Sequence, residues 1–269
     1  MDSTVTLPKR PLGATGLNVS VLGLGTVKFG RNQQIKYPTF TLPTDVEIPQ
    51  LLDEAQSCGI NLLDTAPAYG VAEERLGQLL GTRRDQFVIS TKCGEEFADG
   101  ESAYDFSAAH TRLSVERSLQ RLKTDRLDCV LAHCPRNDFE MMSNGAALET
   151  LAALKQEGKI RSFGASINSP EGGTLALERA ADVLMATYAA DDTGMEPFIR
   201  RAASLGKGIV IKKGLGSGSL ASGGATRSLE ENFRPIFTVP GVSSLIIGTI
   251  NREHLRENVR AVAAVTAAS

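Results

Sequence analysis

The chain has 269 residues, of which 42% are hydrophobic, and its formal net charge at neutral pH is −2. A near-neutral chain with few aromatic residues and no tryptophan lacks the basic surface and the stacking platform of nucleic-acid-binding proteins. No apolar stretch approaches the ~20 residues of a membrane span, and the first residues contain no signal-peptide core. We therefore expect one cytoplasmic domain over residues 1–269, with no nucleic-acid or membrane partner.

Eight short apolar runs recur along the chain, separated by segments of helical character. Most are continuous rather than alternating, which is typical of strands buried on both faces of a parallel sheet. Eight strand–helix units with right-handed crossovers close into a (β/α)8 TIM barrel. A TG turn between two apolar stretches within residues 10–23 predicts a short N-terminal β-hairpin at the barrel bottom. The runs are VLGLGT (21–26), INLLDTA (60–66), FVISTK (87–92), DCVLAH (128–133), SFGASI (162–167), DVLMATY (182–188), GIVIKK (208–213) and SSLIIGT (243–249).

The starts of two helices can be predicted, the first from Ser107 as an N-cap. Ser107 precedes a segment with apolar residues at helical spacing, and the last helix is expected to begin near Asn251. The segments 168–180 and 219–238 are rich in glycine and serine at their starts, so they predict helices only weakly.

Four reactive side chains follow three of the apolar runs closely: Asp64, Tyr69, Lys92 and His133. In a TIM barrel the active site lies at the carboxyl ends of the strands. A free phenol has a pKa of about 10, and a lysine cation beside Tyr69 would lower that value. Asp64 would keep Lys92 protonated, and His133 would hydrogen-bond a substrate carbonyl. Each residue alone fits a structural role equally well, but the four together on neighbouring strands favour general acid catalysis.

Long motifs in the chain resemble those of the aldo-keto reductases, over residues 10–264. They are NLLDTAPAYG–AEERLG, VISTK, SVERSLQRLKTDRLDCVLAH, LKQEGKIRSFGAS and IIGT–HLREN. The resemblance implies an NAD(P)H-dependent oxidoreductase that reduces aldehydes or ketones, or oxidises an alcohol or sugar in the reverse direction. It also implies that Asp64, Tyr69, Lys92 and His133 are a catalytic tetrad with Tyr69 as the proton donor.

The resemblance further implies an extended cofactor across the barrel top, and no correctly spaced GxGxxG motif supports a Rossmann domain. Ser166 and Asn168 would bind the nicotinamide amide, the loop 214–220 the pyrophosphate, residues 248–249 the adenosine phosphate and residues 257–258 the adenine. The predicted cofactor contacts are Thr26, Ser166, Asn168, Tyr188, Lys212, Lys213, Gly214, Leu215, Gly216, Gly218, Gly248, Thr249, Arg252, Glu257 and Asn258.

The chain departs from the family pattern around the nicotinamide. Met185 stands where the family often has glutamine, and Lys212 and Lys213 stand where a stacking aromatic is frequent. Tyr188 is our candidate for the missing aromatic, and Arg252 for the partner of a 2′-phosphate. We therefore predict NADP(H) as the cofactor, with NAD(H) as the open alternative, and no metal.

Two other functions stay open on the sequence alone. A lyase or isomerase on the same fold would form a Schiff base through Lys92, Lys212 or Lys213. A regulatory subunit would bind NADP(H) without catalysis, although it would not need the acid that Tyr69 supplies. Fold alone does not decide between these functions.

The predicted substrate is a small carbonyl compound or a sugar, and the default assembly is a monomer. Aromatic residues in the loops are candidates for an apolar pocket wall; they are Phe29, Tyr37, Phe40, Phe97, Tyr104, Phe106 and Phe139. Cys93 and Cys134 each follow a tetrad residue, and strand alternation points them toward the helix layer. We interpret them as buried thiols, with a redox-sensitive pair as the alternative.

Overall fold

The computed structural model describes residues 5–35, 39–216 and 227–267. Gly218, predicted to contact the pyrophosphate, and Tyr37, a candidate for the pocket wall, lie outside the described residues. None of the helices in the described ranges is long and apolar enough to cross a membrane.

Eight parallel strands close into a barrel, which confirms the predicted (β/α)8 fold. The order around the barrel follows the order along the chain, because each crossover places the next strand beside the last. Two two-stranded hairpins are additional to the barrel. The barrel strands are β3 (Leu22–Gly25), β4 (Leu62–Asp64), β5 (Val88–Cys93), β8 (Leu127–His133), β9 (Ile160–Ser166), β10 (Val183–Thr187), β11 (Gly208–Lys212) and β12 (Val242–Ile247).

Helices surround the barrel and bury one face against it. Ser107 caps the helix that begins at Ala108 by accepting a hydrogen bond from the His110 amide, as predicted. The last helix begins at Arg252, near the predicted start, and Asn251 caps it. The helices are α1 (Val27–Gly30), α2 (Glu47–Ser57), α3 (Ala72–Leu79), α4 (Ala108–Arg121), α5 (Asp138–Ser143), α6 (Ala146–Gln156), α7 (Pro170–Glu178), α8 (Glu196–Ser204), α9 (Leu229–Thr238) and α10 (Arg252–Thr266).

The N-terminal hairpin pairs β1 (Lys9–Pro11) with β2 (Asn18–Ser20), as predicted. Leu12, Leu17 and Val19 from this hairpin join the apolar cluster inside the barrel. The hairpin therefore caps the lower end of the barrel, opposite the carboxyl ends of the strands.

A second hairpin, which the sequence did not predict, follows β5. It pairs β6 (Glu95–Ala98) with β7 (Glu101–Tyr104). Its two-residue turn is Asp99–Gly100, and both residues have positive φ, at 53° and 84°. An Asp-Gly turn of this kind matches the twist of the two strands. The hairpin follows the carboxyl end of β5 and is separate from the barrel wall.

The apolar core has two layers, one inside the barrel and one between the strands and the helices. Cys93 and Cys134 are buried in the outer layer as free thiols, which confirms that they face the helices. Burial raises the pKa of each thiol to about 12. Both residues are therefore protonated, poorly nucleophilic thiols at neutral pH. Phe29 is fully buried in the same layer, so it belongs to the core and not to a pocket wall.

Candidate active site

The four predicted catalytic side chains meet at one end of the barrel. Asp64 is the last residue of β4, Lys92 lies next to the end of β5, and His133 ends β8. Tyr69 closes a single 3₁₀ turn, Pro67–Tyr69, that follows β4. Because parallel strands end at the same edge, four residues that lie 5 to 69 positions apart in the chain become neighbours.

Lys92 and Asp64 form a buried ion pair. The Lys92 Nζ donates to both carboxylate oxygens of Asp64 and to the Thr65 carbonyl, each at 2.8 Å. The two side chains are only 1% and 5% exposed. Burial alone would lower the pKa of Lys92, but Asp64 and Tyr69 outweigh it, so the pKa is raised and the ammonium is kept.

Tyr69 lies between the ammonium and the imidazole. The Lys92 Nζ is 4.7 Å from the centroid of the Tyr69 ring, and the Tyr69 and His133 rings meet edge to face at 6.1 Å. Burial raises the pKa of Tyr69 to about 12, although Lys92 acts in the opposite direction. Lys92 lowers this pKa, as expected, but burial outweighs its effect, so the pKa lies above its ordinary value. The phenol is a protonated acid at neutral pH.

Glu95 is a member of the site that the sequence did not identify. Its Oε2 lies 2.6 Å from the His133 Nδ1, and the Ser102 hydroxyl donates to its Oε1 at 2.7 Å. Burial would raise the pKa of Glu95, but contacts with His133, Ser102 and Arg31 lower it to about 2. Burial lowers the pKa of His133, and Glu95 offsets only part of this effect. The Asp-Gly turn of the hairpin was the sequence signal that could have found this residue.

Ser166, Asn168 and Lys212 form a polar cluster on the next strands of the rim. The Lys212 Nζ donates to the Ser166 Oγ at 2.9 Å and to the Asn168 Oδ1 at 3.1 Å. The Asn168 Nδ2 donates to the carbonyls of Cys134 and Pro135. Burial, reinforced by the charge of neighbouring Lys213, lowers the pKa of Lys212 to about 7.

Two predicted contacts near the nicotinamide have other partners. The hydroxyl of Tyr188 donates to the Glu196 Oε2 at 2.7 Å, and its ring packs in the outer core layer. Thr26 is fully buried, and its hydroxyl donates to the Asp64 carbonyl at 3.0 Å. Thr26 thus stabilises the strand that carries Asp64. Because the Tyr188 hydroxyl is paired with Glu196, we omit Tyr188 from the cofactor site proposed below.

The loop after β11 is built around small residues. A Cβ on Gly214 would lie 2.6 Å from Leu245 and 2.8 Å from Ile236. Gly216 has a φ of +60° and donates from its amide to the Lys213 carbonyl. Leu215 lies between these glycines and packs partly against the core. The backbone at 213–216 therefore lies closer to the barrel than a chain of larger residues allows.

The start of α10 holds the predicted adenosine contacts. The hydroxyl of Thr249 accepts from the Asn251 amide at 3.1 Å, and Gly248 precedes it at the end of β12. Asn258 is buried, and its Oδ1 has no hydrogen-bond partner among the described residues. Glu257, one residue earlier, is exposed.

Arg252 already has an acidic partner. Its Nη2 lies 3.1 Å from the Glu54 Oε2, and Arg256 binds both oxygens of the same carboxylate. A 2′-phosphate at this position competes with Glu54 for Arg252. The side chain of Arg252 is 48% exposed, so it is accessible to a ligand.

The family model of the Aldo/keto reductase family matches residues 21–222, which is most of the chain. The chain belongs to the aldo/keto reductase family. A solved structure of a provisionally assigned aldo-keto reductase from Pseudomonas aeruginosa superimposes on this reductase with a TM-score of 0.88 and 48% sequence identity. That alignment covers 97% of both chains.

Curated relatives of this aldo/keto reductase include enzymes of both reaction directions. L-galactose dehydrogenase of Arabidopsis thaliana is 31% identical, over 80% of this chain and 67% of the plant protein. The NADH-specific methylglyoxal reductase of Escherichia coli is 32% identical, over 71% of this chain and 61% of the bacterial protein. The protein is thus an oxidoreductase of the nicotinamide-dependent aldo/keto reductase family.

Proposed function

We propose that the protein interconverts carbonyl compounds and alcohols, with Tyr69 as the group that gives or takes the proton. The observation that carries the proposal is the Lys92 ammonium, which is buried on Asp64 and lies 4.7 Å from the Tyr69 ring centroid. A lysine in this position stabilises the phenolate that forms when Tyr69 releases its proton. No such arrangement is needed by a protein that only binds a nucleotide.

The residues at the rim fit a nicotinamide dinucleotide. The buried Asn258 Oδ1, which has no partner among the described residues, offers an acceptor for the adenine amine, and Gly214 lets the loop after β11 lie close to Leu245 and Ile236. We propose that Ser166, Asn168 and Lys212 bind the nicotinamide amide. Bound there, the cofactor supplies the hydride, which no side chain of the protein provides. The remaining proposed contacts are Lys213, Leu215, Gly216, Gly248, Thr249, Arg252 and Glu257, with Gly218 outside the described residues.

The tetrad divides the proton chemistry among its members. Tyr69 is protonated in the resting site, so it can donate to a carbonyl oxygen as negative charge develops there. Lys92 then faces the phenolate. Because water does not reach the buried Lys92 ammonium, Asp64 stabilises its charge. In the oxidative direction the phenolate accepts the proton of the alcohol.

We propose NADP(H) as the preferred cofactor, with Arg252 as the partner of the 2′-phosphate. The NADH-specific relative from Escherichia coli represents the alternative. Arg252→Ala should weaken NADPH binding about 10-fold and leave NADH binding unchanged, because only NADPH carries the phosphate. Glu54→Gln should tighten NADPH binding, because it releases Arg252. Equal effects of Arg252→Ala on both cofactors would contradict this assignment.

Small aldehydes and sugars are the substrate classes we propose. The relatives named above act on methylglyoxal and L-galactose. The test is a panel of aldehydes, ketones and sugars with NADPH and NADH in parallel, in both reaction directions. Turnover that depends on the nicotinamide supports the proposal, and its absence across the whole panel would refute it.

A second candidate function rests on Lys212. Because its pKa is about 7, much of this amine is neutral at neutral pH, and it can add to a carbonyl with loss of water to form a Schiff base. Borohydride trapping with aldehyde, followed by peptide mass spectrometry, distinguishes the two functions. A substrate adduct on Lys212 that is absent from Lys212→Met would favour a lyase or isomerase. The reductase proposal predicts that no such adduct forms.

We further propose a cytoplasmic monomer. Four buried free thiols suit a reducing compartment, and the near-neutral charge offers no electrostatic signal for assembly. Light scattering on the purified protein should give a single species near 28.6 kDa. A stable species of twice that mass would contradict the monomer.

A further inference from the structure

A cavity of about 400 Å³ lies at the lower end of the barrel, between the N-terminal hairpin and the amino ends of β4, β5, β8 and β9. Its volume is within the range of about 300–1,000 Å³ that small-molecule pockets occupy. Four cations and two carboxylates line it, so its lining carries a net charge of +2, whereas the whole chain carries −2. These charged residues are Lys9, Arg84, Asp85, Arg126, Asp128 and Arg161.

Two of the four cations share a single carboxylate. The Arg84 Nη2 lies 3.1 Å from the Asp128 Oδ2, and the Arg161 Nη1 lies 3.2 Å from the Asp128 Oδ1. The Ile89 amide also donates to the Asp128 Oδ2, at 3.0 Å. Asp128 therefore neutralises one of the two guanidinium groups, and the three side chains together keep one positive charge in excess.

The other two cations, Lys9 and Arg126, have no anionic partner. Both residues are exposed, and neither side chain forms a hydrogen bond or an ion pair with any described residue. The Arg126 carbonyl accepts a hydrogen bond from the Arg84 Nη2, which holds its backbone beside the cavity. The second carboxylate, Asp85, is exposed as well and pairs with no cation among the described residues. Like charges around one cavity repel one another, and an anion bound between them removes that repulsion.

We propose that this cavity binds a phosphate group, either as the free ion or as a phosphate monoester of a small molecule. A phosphate monoester carries a charge of about −1.5 to −2 at neutral pH on a compact group, so it matches the excess charge and contacts several cations at once. A guanidinium fork binds phosphate oxygens in pairs, and a lysine binds them as a point charge. A dicarboxylate distributes the same charge over two separate groups.

Arg161 is available to such a ligand. Only its Nη1 has a partner among the described residues, and its side chain is 43% exposed. Arg161, Lys9 and Arg126 therefore supply the contacts, while Arg84, which is 18% exposed and donates to the Phe87 carbonyl and to Asp128, adds charge behind them.

The proposed phosphate site lies at the opposite end of the strands from Tyr69. A ligand bound there leaves the catalytic end open, so the test requires binding alone and no turnover. A ligand that binds only the folded chain also raises the unfolding midpoint. Phosphate should therefore stabilise the protein against heat more than chloride of equal ionic strength does.

Calorimetric titration of the full chain with inorganic phosphate, glycerol 3-phosphate and succinate, at matched ionic strength, measures binding directly. Both phosphates should bind saturably and more tightly than succinate. Tighter binding of glycerol 3-phosphate than of inorganic phosphate identifies a monoester as the ligand, and equal affinities identify the free ion. The absence of saturable phosphate binding, or equal binding of succinate, would overturn the proposal.

Substitutions locate the bound phosphate. Lys9→Gln and Arg126→Gln should each weaken phosphate binding about 10-fold, because each removes a charged contact. Asp85→Asn should tighten it, because the Asp85 carboxylate repels an anion. The two lining cations have no side-chain partner among the described residues, so their variants should keep the wild-type unfolding midpoint in the absence of phosphate. Unchanged affinity in all three variants would overturn the proposal.

Two arginines outside the cavity supply matched controls. Arg201 of α8 is exposed, and its side chain has no partner among the described residues. Arg252 lies at the proposed cofactor end. Arg201→Gln and Arg252→Ala should both bind phosphate as the wild type does. Loss of binding in Arg252→Ala with full binding in Arg126→Gln would place the phosphate at the cofactor end and overturn the proposal.

Discussion

At the upper end of the barrel, Asp64 contacts a lysine that is 1% exposed, whereas at the lower end Asp128 contacts arginines that are 18% and 43% exposed. Asp128 also accepts a hydrogen bond from the Ile89 amide at 3.0 Å, which ties β8 to β5. Both carboxylates are buried, and each neutralises cations. The surroundings of the cations differ, because Arg84 and Arg161 reach solvent and Lys92 does not.

This difference in exposure distinguishes ion pairs that stabilise the fold from an ion pair that lies beside reactive groups. At the lower end, the ion pairs join neighbouring strands and no phenol or imidazole lies among these contacts. At the upper end, the buried pair lies beside Tyr69, and the contact between Glu95 and His133 lies on its other side. Burying a charge pair costs desolvation energy, so its position beside reactive groups indicates a catalytic use.

The largest effect is expected for Lys92→Met. This change leaves the Asp64 carboxylate buried without its cation, which should lower the free energy of unfolding by about 3–5 kcal/mol. Carbonyl reduction should fall by at least ~100-fold as well. Urea unfolding and steady-state kinetics measure the two effects. Adding Asp64→Asn should restore much of the stability without the activity, and a fully stable Lys92→Met single variant would contradict this account.

Asp128→Asn should affect the lower end alone. Loss of the charged hydrogen bonds to Arg84, Arg161 and the Ile89 amide should lower the free energy of unfolding by about 1–3 kcal/mol. Its kcat/KM should equal that of the wild type, because the site lies at the other end of the strands. A selective loss of activity at unchanged stability would mean that the two ends are not separable.

Acid should destabilise the protein through Glu95. The pKa of Glu95 is 4.5 ordinarily and about 2 in the fold. The interactions of the Glu95 carboxylate therefore stabilise the fold fully above pH 4.5, and this stabilisation is lost as the pH falls toward about 2. The lowered pKa of His133 acts in the same direction, because the fold binds its proton less readily than the unfolded chain does. Urea midpoints across this range should fall less steeply for Glu95→Gln than for the wild type. Parallel curves would show that Glu95 is not the group responsible.

The smallest effect is expected for Arg260→Ala on the outer face of α10. Arg260 and Glu253 are 3.1 Å apart, and both side chains are 55% exposed. Solvent screens such a pair, so its loss should leave the free energy of unfolding almost unchanged. Thermal unfolding of Arg260→Ala and the wild type measures this change. A change as large as that of Asp128→Asn would undermine the distinction between exposed and buried pairs.

The barrel and its tetrad could be predicted from the sequence because their signals are local. Each barrel strand is a short apolar run, and Asp64, Lys92 and His133 stand at or next to strand ends. The resemblance of the flanking motifs then predicts the role of Tyr69. These features do not depend on knowing how distant side chains pack.

The hairpin and the electrostatics could not be predicted in the same way. The second strand of the hairpin is exposed throughout, so it has no apolar pattern, and nothing in the sequence distinguishes Glu95 from a solvated loop residue. The raised pKa of Tyr69 depends on burial that only the folded chain creates. Tyr188 and Arg252 were assigned without knowledge of their partners Glu196 and Glu54.

The central claim is that Tyr69 supplies the proton for a carbonyl–alcohol interconversion. The most direct measurement compares wild type and Tyr69→Phe in carbonyl reduction and in cofactor binding on the same preparations. We predict a loss of at least ~100-fold in kcat, with cofactor Kd and unfolding midpoint unchanged. Full reductase activity in Tyr69→Phe would contradict the account.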